Sequence, residues 1–164
     1  MHARRSLRLL VAASLAAAAS LLLLAPAEAR GLGGIDNGCV LATSLTPSAE
    51  VRPAGTTDPV ESVARGFSVL HVSAQGTVTF LTVIHNPARE TFFGGHIHVA
   101  PAGANGPIVV PLFSGSDSSR LFVQATTVAA DPQLAAAICA NPSAYYVNYH
   151  TTQDPQGAVR GQLG

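Results

Sequence analysis

The chain has 164 residues and a mass of 16.7 kDa, the size of one ordinary domain. Nine arginines, no lysine and nine acids sum to zero, and only 11% of residues are charged, so no row of phosphates could be neutralised and a nucleic-acid binder is excluded. With 48% hydrophobic residues, 15 glycines, 11 prolines and 5% aromatics, the composition favours a turn-rich β protein with a sizeable core over a helical bundle or a disordered chain.

Arg4, Arg5 and Arg8 precede an apolar run from Leu9 to Ala25 broken only by Ser14 and Ser20, the pattern of a secretory signal peptide. Ala25-Pro26-Ala27 and Ala27-Glu28-Ala29 are both small-x-small cleavage candidates. We take residues 1–29 as the signal peptide, 30–38 as a flexible N-terminal segment and 39–164 as the folded domain. The alternative is an uncleaved anchor, since the run approaches the shortest spanning length. Arg4-Arg5 before Ser6 and Leu7 also loosely resembles a twin-arginine signal. Cleavage after Ala29 removes Arg4, Arg5, Arg8 and Glu28, leaving six arginines against eight acids, a net charge of −2. No membrane span is expected after cleavage, and the expected location is secreted or extracytoplasmic.

Cys39 and Cys139 are the two cysteines, and in an oxidising compartment an even count in a small domain reads as a disulfide. Two buried free thiols are the alternative.

Beyond residue 38, short runs rich in Val, Thr, Phe and Tyr recur between Gly, Pro, Asn and Asp clusters. They predict strands near 39–46, 64–72, 77–85, 93–99, 107–113, 119–127, 144–150 and 157–163. The segment 47–63, with three prolines, predicts an extended loop. In the third strand Val78, Phe80, Thr82 and Ile84 oppose Thr79, Leu81, Val83 and His85, two fairly apolar faces that predict a central position. One short helix is predicted near 131–140: Asp131 caps it, Pro132 fits its first position, and Leu134 and Ile138 share a face. Asn141 is expected in the left-handed closing conformation before Pro142.

Five histidines lie beyond the leader: His71, His85, His96, His98 and His150. Residues i and i+2 of a strand share a face, so His96 and His98 point together while Ile97 and Val99 point away. In the run from Tyr145 to His150, the residues Tyr145, Val147 and Tyr149 form the apolar set, and His150 shares the other face with Tyr146 and Asn148. Pairing of these two strands brings three imidazoles together outside the core. His71 and His85 are single residues, read as core-edge or surface histidines.

The run His96-Ile97-His98, then Ala102-Gly103-Ala104-Asn105-Gly106-Pro107-Ile108-Val109-Val110, then Tyr146-Val147-Asn148-Tyr149-His150-Thr151, and Pro155 through Leu163 with Arg160-Gly161-Gln162-Leu163 resembles the CHRD domain. That domain is named for chordin and is widespread in secreted bacterial proteins. Leu45 through Pro53, with Glu50-Val51, is similar to the family's opening motif, although Pro47 and Arg52 stand where a Gly and a Pro are usual. Ala158 replaces a usual Glu. The resemblance covers about 40–163 and implies an all-β domain: a Greek-key β-sandwich or barrel, immunoglobulin-like or superoxide-dismutase-like in architecture.

Little function comes with the resemblance. In animals the domain belongs to an extracellular antagonist of growth-factor signalling, a partner that cannot be assumed for a stand-alone domain of this kind. No nucleophile elbow, Cys nucleophile motif or phosphate loop occurs. The leading expectation is therefore a secreted, non-catalytic binding or structural module of the cell envelope or an exported matrix. Its partner would be an extracellular protein or polysaccharide, met through the 100–107 and 151–157 loops with Tyr146 and Asn148 as contacts.

The alternative is a copper- or zinc-binding protein with redox capability, using His96, His98 and His150 as ligands. His-x-His on a strand is similar to the copper site of copper/zinc superoxide dismutases. However, residues 99–118 contain no His and one acid, Asp117, so that family's zinc-binding run and remaining copper ligand are missing. Against metal binding stands a packing role, in which the three rings hydrogen-bond to carbonyls. Glu50 and Arg160, placed in the first and last motifs, form a candidate structural ion pair joining the two ends of the domain; two unrelated exposed charges are the alternative.

Overall fold

The computed structural model describes residues 38–56 and 58–164. The expected signal peptide over 1–29, and the segment 30–38 apart from Gly38, lie outside the described residues. Eight strands form two antiparallel four-stranded sheets: β1 (Cys39–Leu45), β2 (Arg65–Val72), β3 (Thr77–His85), β4 (Phe92–Val99), β5 (Ile108–Asp117), β6 (Leu121–Ala129), β7 (Tyr145–Thr151) and β8 (Val159–Gln162). The first sheet has the order β1-β2-β3-β6 and the second β5-β4-β7-β8. The chain crosses to the second sheet for the β4–β5 hairpin and returns to lay β6 beside β3. The fold is a β-sandwich, and the two sheets do not close into a barrel.

Period-2 alternation decides which side chains meet between the sheets. Leu70, Val72, Val78, Phe80, Ile84 and Phe122 come from the first sheet; Phe92, Ile97, Val110, Leu112, Val147, Tyr149 and Val159 come from the second. Phe122 contacts Phe92, Phe113 and Tyr149 at centroid distances of 5.0, 5.1 and 5.5 Å, which ties the layers together. β3 is central in its sheet, as its pattern predicts. Its second face stays outward, where its own exposed Leu81 lies beside exposed Phe67 and Val69 of β2 and Val123 of β6.

The helix α1 (Pro132–Ala140) begins as its sequence dictates, with Asp131 Oδ1 accepting from the backbone N–H of Gln133 and Leu134 at 2.8 and 3.2 Å. Its end differs from expectation. Asn141 has φ −145° and ψ 69°, not a left-handed conformation, and donates its N–H to Ala137 O while the chain enters a 3₁₀ turn, Pro142–Ala144. The following proline disfavours a helical conformation at Asn141, so the residue leaves the helix without adopting the left-handed one. Ala135 and Ile138 face the core, and a disulfide joins Cys139 to Cys39, with Cα atoms 5.6 Å apart.

Strand ends shift where short polar residues pair. β5 extends through Ser114-Gly115-Ser116-Asp117 because Ser114 and Asp117 face Gly94 and Phe92 of β4. The turn that follows is closed by Asp117 Oδ1 accepting from Ser119 N at 2.7 Å, so β6 starts later than its apolar run suggests. The described residues of segment 47–63 form a loop apart from the 3₁₀ turn Pro47–Ala49, as expected.

Candidate metal centre

Strands β4 and β7 pair directly, with His96 opposite Asn148, His98 opposite Tyr146 and Gly94 opposite His150. This register puts the three histidines on the outer face of the second sheet, away from Ile97, Val147 and Tyr149. Their ring centroids form a near-equilateral triangle: 5.6 Å from His96 to His98, 5.1 Å from His96 to His150 and 6.0 Å from His98 to His150. One ring nitrogen from each lies within 4.8 Å of the others. Gly94 leaves the necessary room, since a Cβ there would stand 3.2 Å from His96 Cε1. A register shift between Phe92 and Gly94 turns Phe93 onto the same face, 6.1 Å from the His150 ring.

Sequence alternation predicts an outward-facing cluster, and the structure adds a cover. Every residue of β7 is buried, because loops close over its outer face. Tyr146 and Asn148, expected as partner contacts, are 1% and 2% exposed and hold the cover in place instead. Tyr146 stacks on His98 at 4.8 Å, and the Arg160 guanidinium lies 3.5 Å from the Tyr146 centroid. The Tyr146 hydroxyl also accepts from Gly106 N at 3.3 Å.

Hydrogen bonding fixes which nitrogens are presented. His98 Nδ1 lies 2.9 Å from Gly106 O and His150 Nδ1 lies 3.2 Å from Pro155 O. A carbonyl can only accept, so each Nδ1 carries the proton and each Nε2 holds a lone pair. Both Nε2 atoms, and Nδ1 of His96, are buried without a hydrogen-bond partner. Burial lowers the pKa of His96 and of His98, with help from the other charges nearby. Burial first, then the His96 and His98 rings, push His150 down to about 4. All three rings are therefore neutral at pH 7, the state in which imidazole ligates a metal.

The expected bidentate Glu50–Arg160 pair takes another form. Arg160, 1% exposed, donates to Asn105 Oδ1, Pro101 O and Gln162 Oε1 at 3.2–3.3 Å, and it acts on Glu50 only through space. Glu50 instead accepts from Asn148 Nδ2 at 3.3 Å, and burial pushes its carboxyl up to about 8. The salt bridge among the described residues joins Arg52 to Asp154 at 2.6 Å. Sequence reasoning missed this pair, and it missed buried Asn86 and Glu90. Asn86 accepts from Glu90 N and donates to Glu90 O, while Glu90 accepts from Ser62 and Thr151. The available signal was an acid inside a turn, Asn86-Pro87-Ala88-Arg89-Glu90 and Thr151-Thr152-Gln153-Asp154, where a carboxylate can gather backbone N–H groups. His71 and His85 stand apart from the cluster, on the outer face of the first sheet.

Fold and site together define a small β-sandwich that encloses a three-histidine cluster beneath loops on one outer face. The sequence matches the family model of the CHRD domain over residues 41–163, and the chain belongs to that family. Neither the curated proteins nor the solved structures yield a match. Among the described residues no helix is long and apolar enough to cross a membrane.

Proposed function

We propose that this chain is an exported, non-catalytic CHRD module that binds copper or zinc through His96, His98 and His150. One observation carries the reading: three imidazoles converge, and each keeps a buried ring nitrogen without a protein partner. Histidines serving only as packing residues would leave those polar atoms uncompensated, at roughly 1–3 kcal/mol each. A cation that accepts all three lone pairs removes the penalty. The donor set is purely nitrogen, which suits copper or zinc and disfavours calcium or magnesium. Metal–nitrogen bonds of about 2.0–2.1 Å hold ligand nitrogens no more than about 4.2 Å apart, so small ring movements within the 4.8 Å cluster complete the geometry. The leader, the disulfide and the family support an extracytoplasmic setting, where such a module would act in the envelope or an exported matrix.

Calorimetric titration of the exported protein with Cu(II) and Zn(II) tests the reading. One equivalent should bind with a sub-micromolar Kd, and His98→Ala should weaken binding at least 100-fold. No uptake at micromolar metal, or uptake untouched by His98→Ala, would overturn it.

A further inference from the structure

Two of the three imidazoles take their orientation from carbonyls on irregular loops, so the site is only as well defined as those loops. Pro155 O, which holds His150, follows a residue that organises its turn. Asp154 is 2% exposed, and its carboxylate accepts from Arg52 Nη2 at 2.6 Å, Ser62 N at 2.8 Å and Glu61 N at 3.3 Å. Its backbone N donates to Thr151 Oγ1 at 3.0 Å, and its carbonyl accepts from Thr151 N and Gly157 N. Gly106 O, which holds His98, sits in the other loop. Arg160 fastens that loop through Pro101 O and Asn105 Oδ1.

The two fastenings meet in consecutive residues. Val51 O accepts from Asn105 Nδ2 at 2.7 Å, and Arg52 donates to Asp154 and, at 2.8 Å, to Pro59 O. One residue earlier, Glu50 accepts from Asn148, on β7 two residues before His150. Gly157 permits this approach, because a Cβ there would lie 2.4 Å from Glu50 Oε2.

We infer that Glu50-Val51-Arg52 is a strap that ties the loop behind His98 to the loop behind His150, and that Arg52 is a positioning residue for the three-histidine site. The inference rests on the metal-binding reading for its purpose. Arg52 touches none of the three rings in the contacts described; it acts through Asp154 and the Pro155 carbonyl. Without the guanidinium, the Asp154 carboxylate keeps its backbone donors but loses its link to residue 52. The turn is then free to shift, and the Pro155 carbonyl no longer selects the Nδ1–H form of His150. Outer partners of this kind change metal affinity about 10–100-fold.

The test uses the exported protein, wild type and Arg52→Met, with two readouts. Nitrogen-15 spectra of the imidazoles in the metal-free protein at neutral pH report tautomers without any metal. Wild type should show His150 as the Nδ1–H form, and Arg52→Met should show a mixture. Cu(II) titration with electron paramagnetic resonance should show a 10–100-fold weaker Kd and altered hyperfine parameters in Arg52→Met, with Arg52→Lys restoring part of both. Asn105→Ala, at the far end of the strap, should perturb His98 in the same way, and it decides the matter if Arg52→Met does not fold. A wild type that takes up no copper, with the tautomer change still seen in the variants, overturns the metal reading and keeps the strap. A wild type that binds copper, with variants unchanged in tautomer and spectrum, overturns the strap.

Discussion

Glu50 Oε1 and Asn148 Oδ1 are both buried oxygens without a partner, on side chains already joined by one hydrogen bond. A carboxylate has nothing to donate to the amide oxygen, whereas a carboxylic acid has a proton to offer. Burial, the largest influence, holds the group up to about 8 despite the attraction of Arg160 and Arg52, with Asp154 adding repulsion. The unfolded chain releases this proton near 4.5 and the folded chain near 8. Between those values the folded state binds more protons, so this group's contribution makes stability fall as pH rises through that window. Glu50→Gln should match wild type near pH 4.5 and melt several degrees higher near pH 8, at roughly 2–4 °C per kcal/mol. Parallel melting curves of the two proteins from pH 4 to pH 9 would show that Glu50 titrates normally. Gly95 is a second sensitive position, since a Cβ there would stand 2.3 Å from Tyr149 Cε1. Tyr149 cannot retreat without giving up its 2.9 Å hydrogen bond to buried Thr82. Gly95→Ala should cost about 1–3 kcal/mol in denaturant unfolding, and an unchanged midpoint would mean that the ring has room to move.

Elements differ in how much of them the residues reveal. Local chemistry sets the start of α1: Asp131 and Pro132 act within one turn, and the helix begins where they place it. The same locality makes the His96/His98 face readable, because alternation on one strand needs no knowledge of its neighbour. Sheet membership depends on distant pairing, so the division into β1-β2-β3-β6 and β5-β4-β7-β8, and the bulges between β4 and β5, have no local signature. The burial of both faces of β7 comes from the turn that follows it and from the distant segments around Glu50 and Gly106, and therefore Tyr146 and Asn148 read as surface residues when they are cover. Connection across distance is also what the disulfide provides. It fastens the last turn of α1 to the first residue of β1 over 100 residues of chain. Closing so long a loop contributes about 4–5 kcal/mol in the chain-entropy model. Cys39→Ser combined with Cys139→Ser should lower Tm by roughly 10 °C or more, and identical melting with and without reductant would deny the bridge any such role.

For the whole molecule, the site and the fold are one construction. The three histidines sit on β4 and β7, the carbonyl partners of His98 and His150 on two loops, and the residues that fasten those loops come from β8, the 47–63 segment and the 151–157 turn. None of this survives unfolding, since His98 and His150 then lie far apart on a flexible chain. A metal that needs all three rings therefore binds the folded state alone and stabilises it by mass action. Metal at 100 times its Kd adds about 2.7 kcal/mol, a rise of roughly 5–11 °C in Tm for a domain of this size. Scanning calorimetry should show that rise with copper or zinc, its reversal by a chelator, and its absence in His98→Ala. The His98→Ala and His150→Ala variants should differ from metal-free wild type far less than from loaded wild type, because an unfilled site already leaves its nitrogens uncompensated. An equal rise in His98→Ala would place the ion elsewhere on the protein, and the outer face of the second sheet would then be a packed surface whose histidines serve the loops above them.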